Sequence, residues 1–194
     1  MKAIAIALAG GLALGAAAVD VSLKQAEFFE QKLARIRDLS QTPSDRPRET
    51  PITQDEVNSY LRFKAGAQVP VGVTEPTIQI QNEGRLSGRA VVDLDAIRRS
   101  KGSGSWFDPT SYLTGTLPLT ASGVLRTDNG RGQFALERAA VSGIPIPKTF
   151  LQEIVSYYSR SDDFPNGINI DDPFDLPAAI RRIDVGQARA VIVQ

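Results

Sequence analysis

Between Leu117 and Val141 two strand-like runs, 117–127 and 133–141, flank Asp128-Asn129-Gly130. No other feature constrains the chain's fold as much. Period-two alternation gives a strand one apolar and one polar face, and a three-residue turn ending in Gly supplies the positive φ that reverses the chain. Residues 117–127 and 133–141 are therefore expected to form one long hairpin. A second hairpin is expected upstream. Residues 77–81 place Ile78 and Ile80 inward, Asn82-Glu83-Gly84 turns, and 85–95 returns with Leu86, Gly88, Ala90, Val92 and Leu94 on one face. Both hairpins carry small residues (Gly88, Ala90, Ala121, Gly123) where larger ones normally pack. Such residues either relieve twist and permit strong curvature or make room for another group, and both readings stay open.

Helices flank these hairpins. Thr53-Gln54-Asp55-Glu56 is a capping box, with Ile52 and Val57 at staple positions. Val57, Tyr60, Leu61 and Lys64 follow one face from it, and Gly66 is a natural stop. Residues 20–39 repeat Phe29, Leu33, Ile36 and Leu39 at spacings of three and four, the mark of a helix. It either docks on the domain or holds the domain off a membrane. Its basic residues are too few for an interfacial helix. Residues 41–51 are polar with Pro43, Pro47 and Pro51, which predicts a loose linker. Residues 98–112 carry Ser-Gly repeats and then Trp106 and Phe107, a lid, a surface anchor or a segment tucked into the core. Residues 148–159 form a helix whose apolar stripe is Phe150, Leu151, Ile154, Val155 and Tyr158. A short 176–183 segment and a strand over 188–193 end the chain. The order predicts an α+β fold: a curved antiparallel sheet of hairpins packed against a long amphipathic helix, preceded by an N-terminal helix.

Lys2, a small-residue apolar run over 3–16 and Ala16-Ala17-Ala18 have the layout of a secretory signal peptide, which predicts a mature chain starting near Val19. The run falls short of the ~20 residues of a spanning helix, and no Cys follows it to carry a lipoprotein anchor. A retained leader would anchor the protein facing the same compartment, so the expected location is the periplasm or the exterior. The expected organisation is a signal peptide at 1–18, the N-terminal helix at 19–40, the linker at 41–51 and one α+β domain at 52–194.

Composition narrows the chemistry. Lys+Arg and Asp+Glu balance at 22 each, so no global field draws the protein to nucleic acid. The chain has no His and no Cys. Ser-His-Asp and Cys-His catalysis are impossible, and no transition metal or cofactor is expected. Paired carboxylates and Ser-Lys chemistry remain formally open. Glu137 with Asp175 is one such carboxylate couple, but their separation is invisible in sequence. The acidic stretch 162–172 fits an EF-hand at Asn166 and Gly167, yet Phe164 and Pro173 stand where oxygen ligands are needed. Gly102-Ser103-Gly104-Ser105 lacks the Lys and the following helix of a phosphate loop. Arg98, Arg99 and Lys101, and Arg181 with Arg182, are short basic clusters: solvated faces by default, or contacts to anionic lipid at about 1 kcal/mol per charge.

Several of these features together resemble the LmeA-like phospholipid-binding group of secreted bacterial envelope proteins. They are the leader, the early helix at Glu56-Val57-Asn58-Ser59-Tyr60-Leu61, the stretch Ala121-Ser122-Gly123-Val124-Leu125 to Asp128-Asn129-Gly130, and the run Val141-Ser142-Gly143-Ile144-Pro145-Ile146-Pro147 into an amphipathic helix. They cover about half the chain. The resemblance implies a curved sheet cradling a long helix with an apolar groove between them for acyl chains, and no catalytic motif. The expected function is binding of a lipid or other apolar ligand, with Tyr60, Trp106, Phe107, Phe150, Leu151, Ile154 and Tyr158 as candidate lining residues. A membrane surface or envelope proteins are further expected partners. The alternative is a non-catalytic interaction module that supports envelope assembly without a small-molecule ligand.

Overall fold

The computed structural model describes residues 21–42, 44, 46–101, 115–160 and 164–194. The leader at 1–18 lies outside them, as do Trp106 and Phe107. Helix α1 (Leu23–Ser40) starts where the Ser22 hydroxyl accepts the Gln25 N–H at 3.3 Å. Strand β1 (Glu49–Thr53) runs directly into α2 (Gln54–Phe63). The capping box is present there: Thr53 Oγ1 accepts from the Glu56 amide at 3.2 Å, and the Glu56 carboxylate accepts from the Thr53 amide at 2.9 Å. That buried carboxylate also accepts from Lys32 Nζ of α1, at 2.6 and 2.8 Å. Phe29 meets Tyr60 edge-on with ring centroids 5.3 Å apart, and the Ser22 amide donates to Ser59 Oγ at 3.1 Å. The N-terminal helix is thus docked on α2.

The sequence expectation at residues 41–51 is a loose linker, but the described residues from Arg48 onward are tied down. Arg48 turns its guanidinium onto the Leu39 and Thr42 carbonyls at the end of α1, and β1 pairs along its whole length with β9 (Arg189–Val193). Pro51 takes part in that edge pairing, where proline is tolerated. Strand β8 (Arg182–Gly186) completes a three-stranded antiparallel sheet in the order β1-β9-β8. Ile36, Ile180 and Ile192 form its buried core, with Ile52, Leu176 and Ile183 packed against them.

The hairpins form a second sheet. Strands β2 (Val73–Ile80), β3 (Arg85–Asp93), β4 (Thr116–Asp128) and β5 (Arg131–Val141) follow one another as an antiparallel meander. Short strands β6 (Ile144–Pro145) and β7 (Phe174–Asp175) both pair with β5. The β4–β5 turn is tighter than expected. Asp128 pairs with Arg131, leaving Asn129 and Gly130 as a two-residue turn with φ of 48° and 79°. Two positive φ values in succession match a type I′ turn, the one that suits the twist of flanking strands. β3 also ends earlier than the sequence suggests. Asp93 Oδ1 accepts the Ala96 amide at 2.9 Å, and α3 (Leu94–Lys101) begins where strand and then loop were expected. Helix α4 (Lys148–Tyr158) follows β6 and lies against β5.

The two sheets are joined through polar side chains. Asn58 of α2 donates to the Ile78 carbonyl at 2.8 Å and accepts from the Ile78 amide at 2.7 Å, while Gln54 Oε1 accepts from the Ile80 amide at 2.8 Å. These amide groups act as a partner for the edge strand β2 and block strand addition there. On the other side, Thr127 Oγ1 of β4 bonds the amide and carbonyl of Ile183 on β8, at 2.8 and 3.1 Å.

Candidate ligand-binding face

The register assigns every side chain of the meander to one of two faces. Ile78, Gly88, Ala121 and Ala139 stand in one row across β2 to β5, and Ile80, Leu86, Gly123 and Leu136 in the next. Ala90, Leu119 and Val141 continue the same face toward the other end, followed by Val92 and Leu117. This face is apolar throughout. A bulge at Glu137 keeps it so, because the pairing jumps from Ser122–Arg138 to Gly123–Leu136 and leaves Glu137 as the extra residue.

Burial along that face is incomplete. Ile80 and Ala139 are its buried hydrophobics, while Leu86, Ala90, Val92, Leu117, Leu119 and Val141 are half-buried. The small residues divide between the two readings left open above. A Cβ at Gly123 would collide with the Ala135 carbonyl and the Phe134 ring, so this glycine serves close internal packing. Among the described residues, a Cβ at Gly88 would meet only the Thr77 carbonyl oxygen, at 3.8 Å.

Of the candidate lining residues, the structure describes the side chains of Tyr60, Phe150 and Leu151. Tyr60 sits at the α1–α2 contact, its ring against Phe29 and its hydroxyl accepting from Gln68 Nε2 at 3.0 Å. On α4, Leu151 is buried and Phe150 half-buried. Ile154 and Tyr158 also lie in α4, but their side chains are outside the described residues, as are Trp106 and Phe107. The segment after α4 holds it from one side: Gln152 Oε1 accepts from the Ile170 amide at 2.8 Å, and Lys148 pairs with Asp171.

The other face carries most of the meander's polar residues, with Val91, Pro118, Val124 and Ala140 among them, and lines a cleft of about 710 Å³ walled by Thr77, Gln79, Ser87, Arg89, Thr120 and Arg138 and also by Ala139, Pro145 and Ile146. Sequence reasoning missed it, although the alternation that predicted the strands also predicts what the second face carries. Glu137 at its rim is paired with Arg85. The carboxylate couple is excluded by register. Asp175 stands opposite Arg131, and Glu137 lies six residues further along β5 at ~20 Å, against the roughly 5–10 Å that glycoside hydrolysis requires. In the acidic segment Asp171 is taken by Lys148, and Asp172 accepts from Asn169 at 2.9 Å. Of the basic clusters, Arg181 is bonded to the Ser44 carbonyl and Arg182 to Asp184, both at 3.0 Å, and Arg99 lies 4.0 Å from Asp93. Among the described residues no group of acidic side chains is placed to hold a metal, and no helix is long and apolar enough to cross a membrane.

No protein-family model and no curated protein matches the chain. Among solved structures, one described as the crystal structure of lipopolysaccharide binding protein aligns at 16% identity and a TM-score of 0.23, over 75% of this chain and 40% of that one. The chain thus spans well under half the length of that neighbour. A likeness of this size assigns neither fold nor ligand.

Proposed function

We propose that this protein binds a lipid or other apolar ligand on the apolar face of its meander, outside the cytoplasm and without catalysing a reaction. The observation that carries this reading is the half-buried state of Leu86, Ala90, Val92, Leu117, Leu119 and Val141, one continuous apolar surface left short of full burial. A hydrocarbon chain laid along it would gain about 0.8 kcal/mol per buried CH2, so part of an acyl tail offsets the cost of association. Bulges at Thr74/Thr77 and Ser122/Gly123 support curvature of the sheet toward such a ligand, and Phe150 of α4 would close one side. The absence of His and Cys favours a binding role over a catalytic one. The expected leader at 1–18 supports the periplasm or the exterior as its location.

The second reading, an interaction module, rests on a different observation. Ile144, Ile168 and Phe174 are exposed at 69%, 45% and 44%, on or after the strands bordering β5. Organic extraction and mass spectrometry of protein from its native envelope separates the two. Co-purified lipid is expected, and Gly88→Leu, which adds bulk to the apolar face, should lower uptake of a fluorescent fatty acid at least tenfold with an unchanged circular dichroism spectrum. Folded wild-type protein that carries no lipid and takes up no fatty acid leaves the interaction module.

A further inference from the structure

The polar face of the meander carries three arginines, Arg89, Arg126 and Arg138, without a partner among the described residues, and Arg89 and Arg138 line the cleft. Its pattern follows from register. Thr77, Arg89, Thr120 and Ala140 form one row across the four strands, and Gln79, Ser87, Ser122 and Arg138 form the next. Arg89 on β3 and Arg138 on β5 therefore stand diagonally across β4, with Cα atoms roughly 12 Å apart by strand spacing and rise. Between them lie only Thr120 and Ser122, so the two side chains can lean together over a floor of hydroxyls. Three further arginines of the sheet or its borders are engaged: Arg85 with Glu137, Arg131 with Asp175, and Arg182 with Asp184. Arg89 and Arg138 have no ion-pair or hydrogen-bond partner among the described residues. Glu137, the acidic residue lining this cleft, is already neutralised by Arg85.

We infer that this cleft is a binding site for a phosphate ester bearing hydroxyl groups. Two guanidinium forks can each donate a pair of hydrogen bonds to the phosphate oxygens, the geometry for which arginine surpasses lysine. Thr77, Thr120, Ser122 and the Gln79 amide supply donors and acceptors for the polyol part. A volume of about 710 Å³ holds a phosphorylated headgroup or a small sugar phosphate. The same chemistry is offered by a phospholipid headgroup and by a free phosphate ester. The inference goes beyond the proposed apolar site: Gly88, Ala121 and Ala139 border the cleft too, but Arg89 and Arg138 stand on the opposite face of the sheet from the apolar rows.

The test measures binding of glycerol phosphate by calorimetry, and of phosphatidylglycerol and phosphatidylcholine vesicles by co-flotation, to the full chain and to an Arg89→Gln/Arg138→Gln double variant. Arg181→Gln serves as a control outside the cleft. Neither cleft arginine has a partner among the described residues, so circular dichroism and the melting temperature should stay unchanged. The expected result is binding that weakens at least tenfold in the double variant, persists in the control and falls with added salt. Binding of glycerol phosphate itself assigns a soluble ester, whereas binding confined to phosphatidylglycerol vesicles assigns a lipid headgroup. No binding of either probe overturns the inference, and so does binding that the double variant retains in full.

Discussion

The three-stranded sheet and the meander use the same antiparallel pairing but end in opposite states of burial. Around β9 the chain is closed on all sides: Val193 is 1% exposed, Ala190 4% and Ile192 6%, with α1 and the 176–183 segment laid over them. The meander is longer and carries more apolar residues, yet most of its inward side chains remain half-buried. A surface that pairs well but is not covered has been left at a cost in hydrophobic stabilisation, and that cost is sensible where a ligand or partner supplies the cover. Stability and binding are therefore divided between the two sheets. The small sheet holds the fold, and the meander presents two faces of contrasting chemistry.

The largest expected effect tests that division directly. Ile192→Ala removes a side chain enclosed by Ile36 and Ile180 and should destabilise the protein by about 3 kcal/mol. Leu119→Ala, a truncation of the same size but on the half-buried face, should cost about 1 kcal/mol because less of its surface was removed from water. Urea denaturation of the two variants gives both values. Equal losses would mean that the meander is packed as tightly as the small sheet, and the comparison would fail.

Asn58→Ala addresses the joint between the regions. Its side-chain amide makes two hydrogen bonds to the Ile78 backbone from a position 2% exposed. Removing it strands one N–H and one carbonyl of half-buried Ile78 on the edge strand, which should cost about 2 kcal/mol. The exposed edge should also raise aggregation, read by light scattering during refolding. A loss under 0.5 kcal/mol would show that β2 does not depend on α2.

This joint also marks where the sequence stops being legible. The capping box, both hairpins and the 148–159 helix each declare themselves through contacts three or four residues apart or through alternation, and each is found within a few residues of its expected place. The docking of residues 49–51 depends on β9, about 140 residues away, so three prolines and a polar composition over 41–51 pointed to a linker instead. Asn58 and Gln54 read as ordinary polar positions of a helix until the partner strand is known. Splitting of the strands into two sheets was hidden for the same reason. As for the site, the apolar face follows from the alternation of β3 and β4, whereas the edge-on contact of Tyr60 with Phe29 of α1 is visible only in the structure. The arginine pair was legible only after β3, β4 and β5 were set in register.

The smallest expected effect sharpens the account of the meander most. Gly88 lies mid-strand in β3, where glycine costs about 0.5–1 kcal/mol relative to alanine through lost backbone entropy. Among the described residues its absent Cβ would meet nothing nearer than 3.8 Å, unlike that of Gly123. Gly88→Ala should therefore leave the fold intact and stabilise it by about 0.5 kcal/mol, while a single methyl on the apolar face leaves fatty acid uptake within twofold of wild type. Thermal unfolding followed by circular dichroism reads the first quantity and probe fluorescence the second. A destabilisation above 1 kcal/mol would mean that the space over Gly88 is already filled in the folded chain. In that case the apolar face is closed by the protein itself, Gly88→Leu loses its meaning as a blocking variant, and the exposed residues around β5 become the better guide to function.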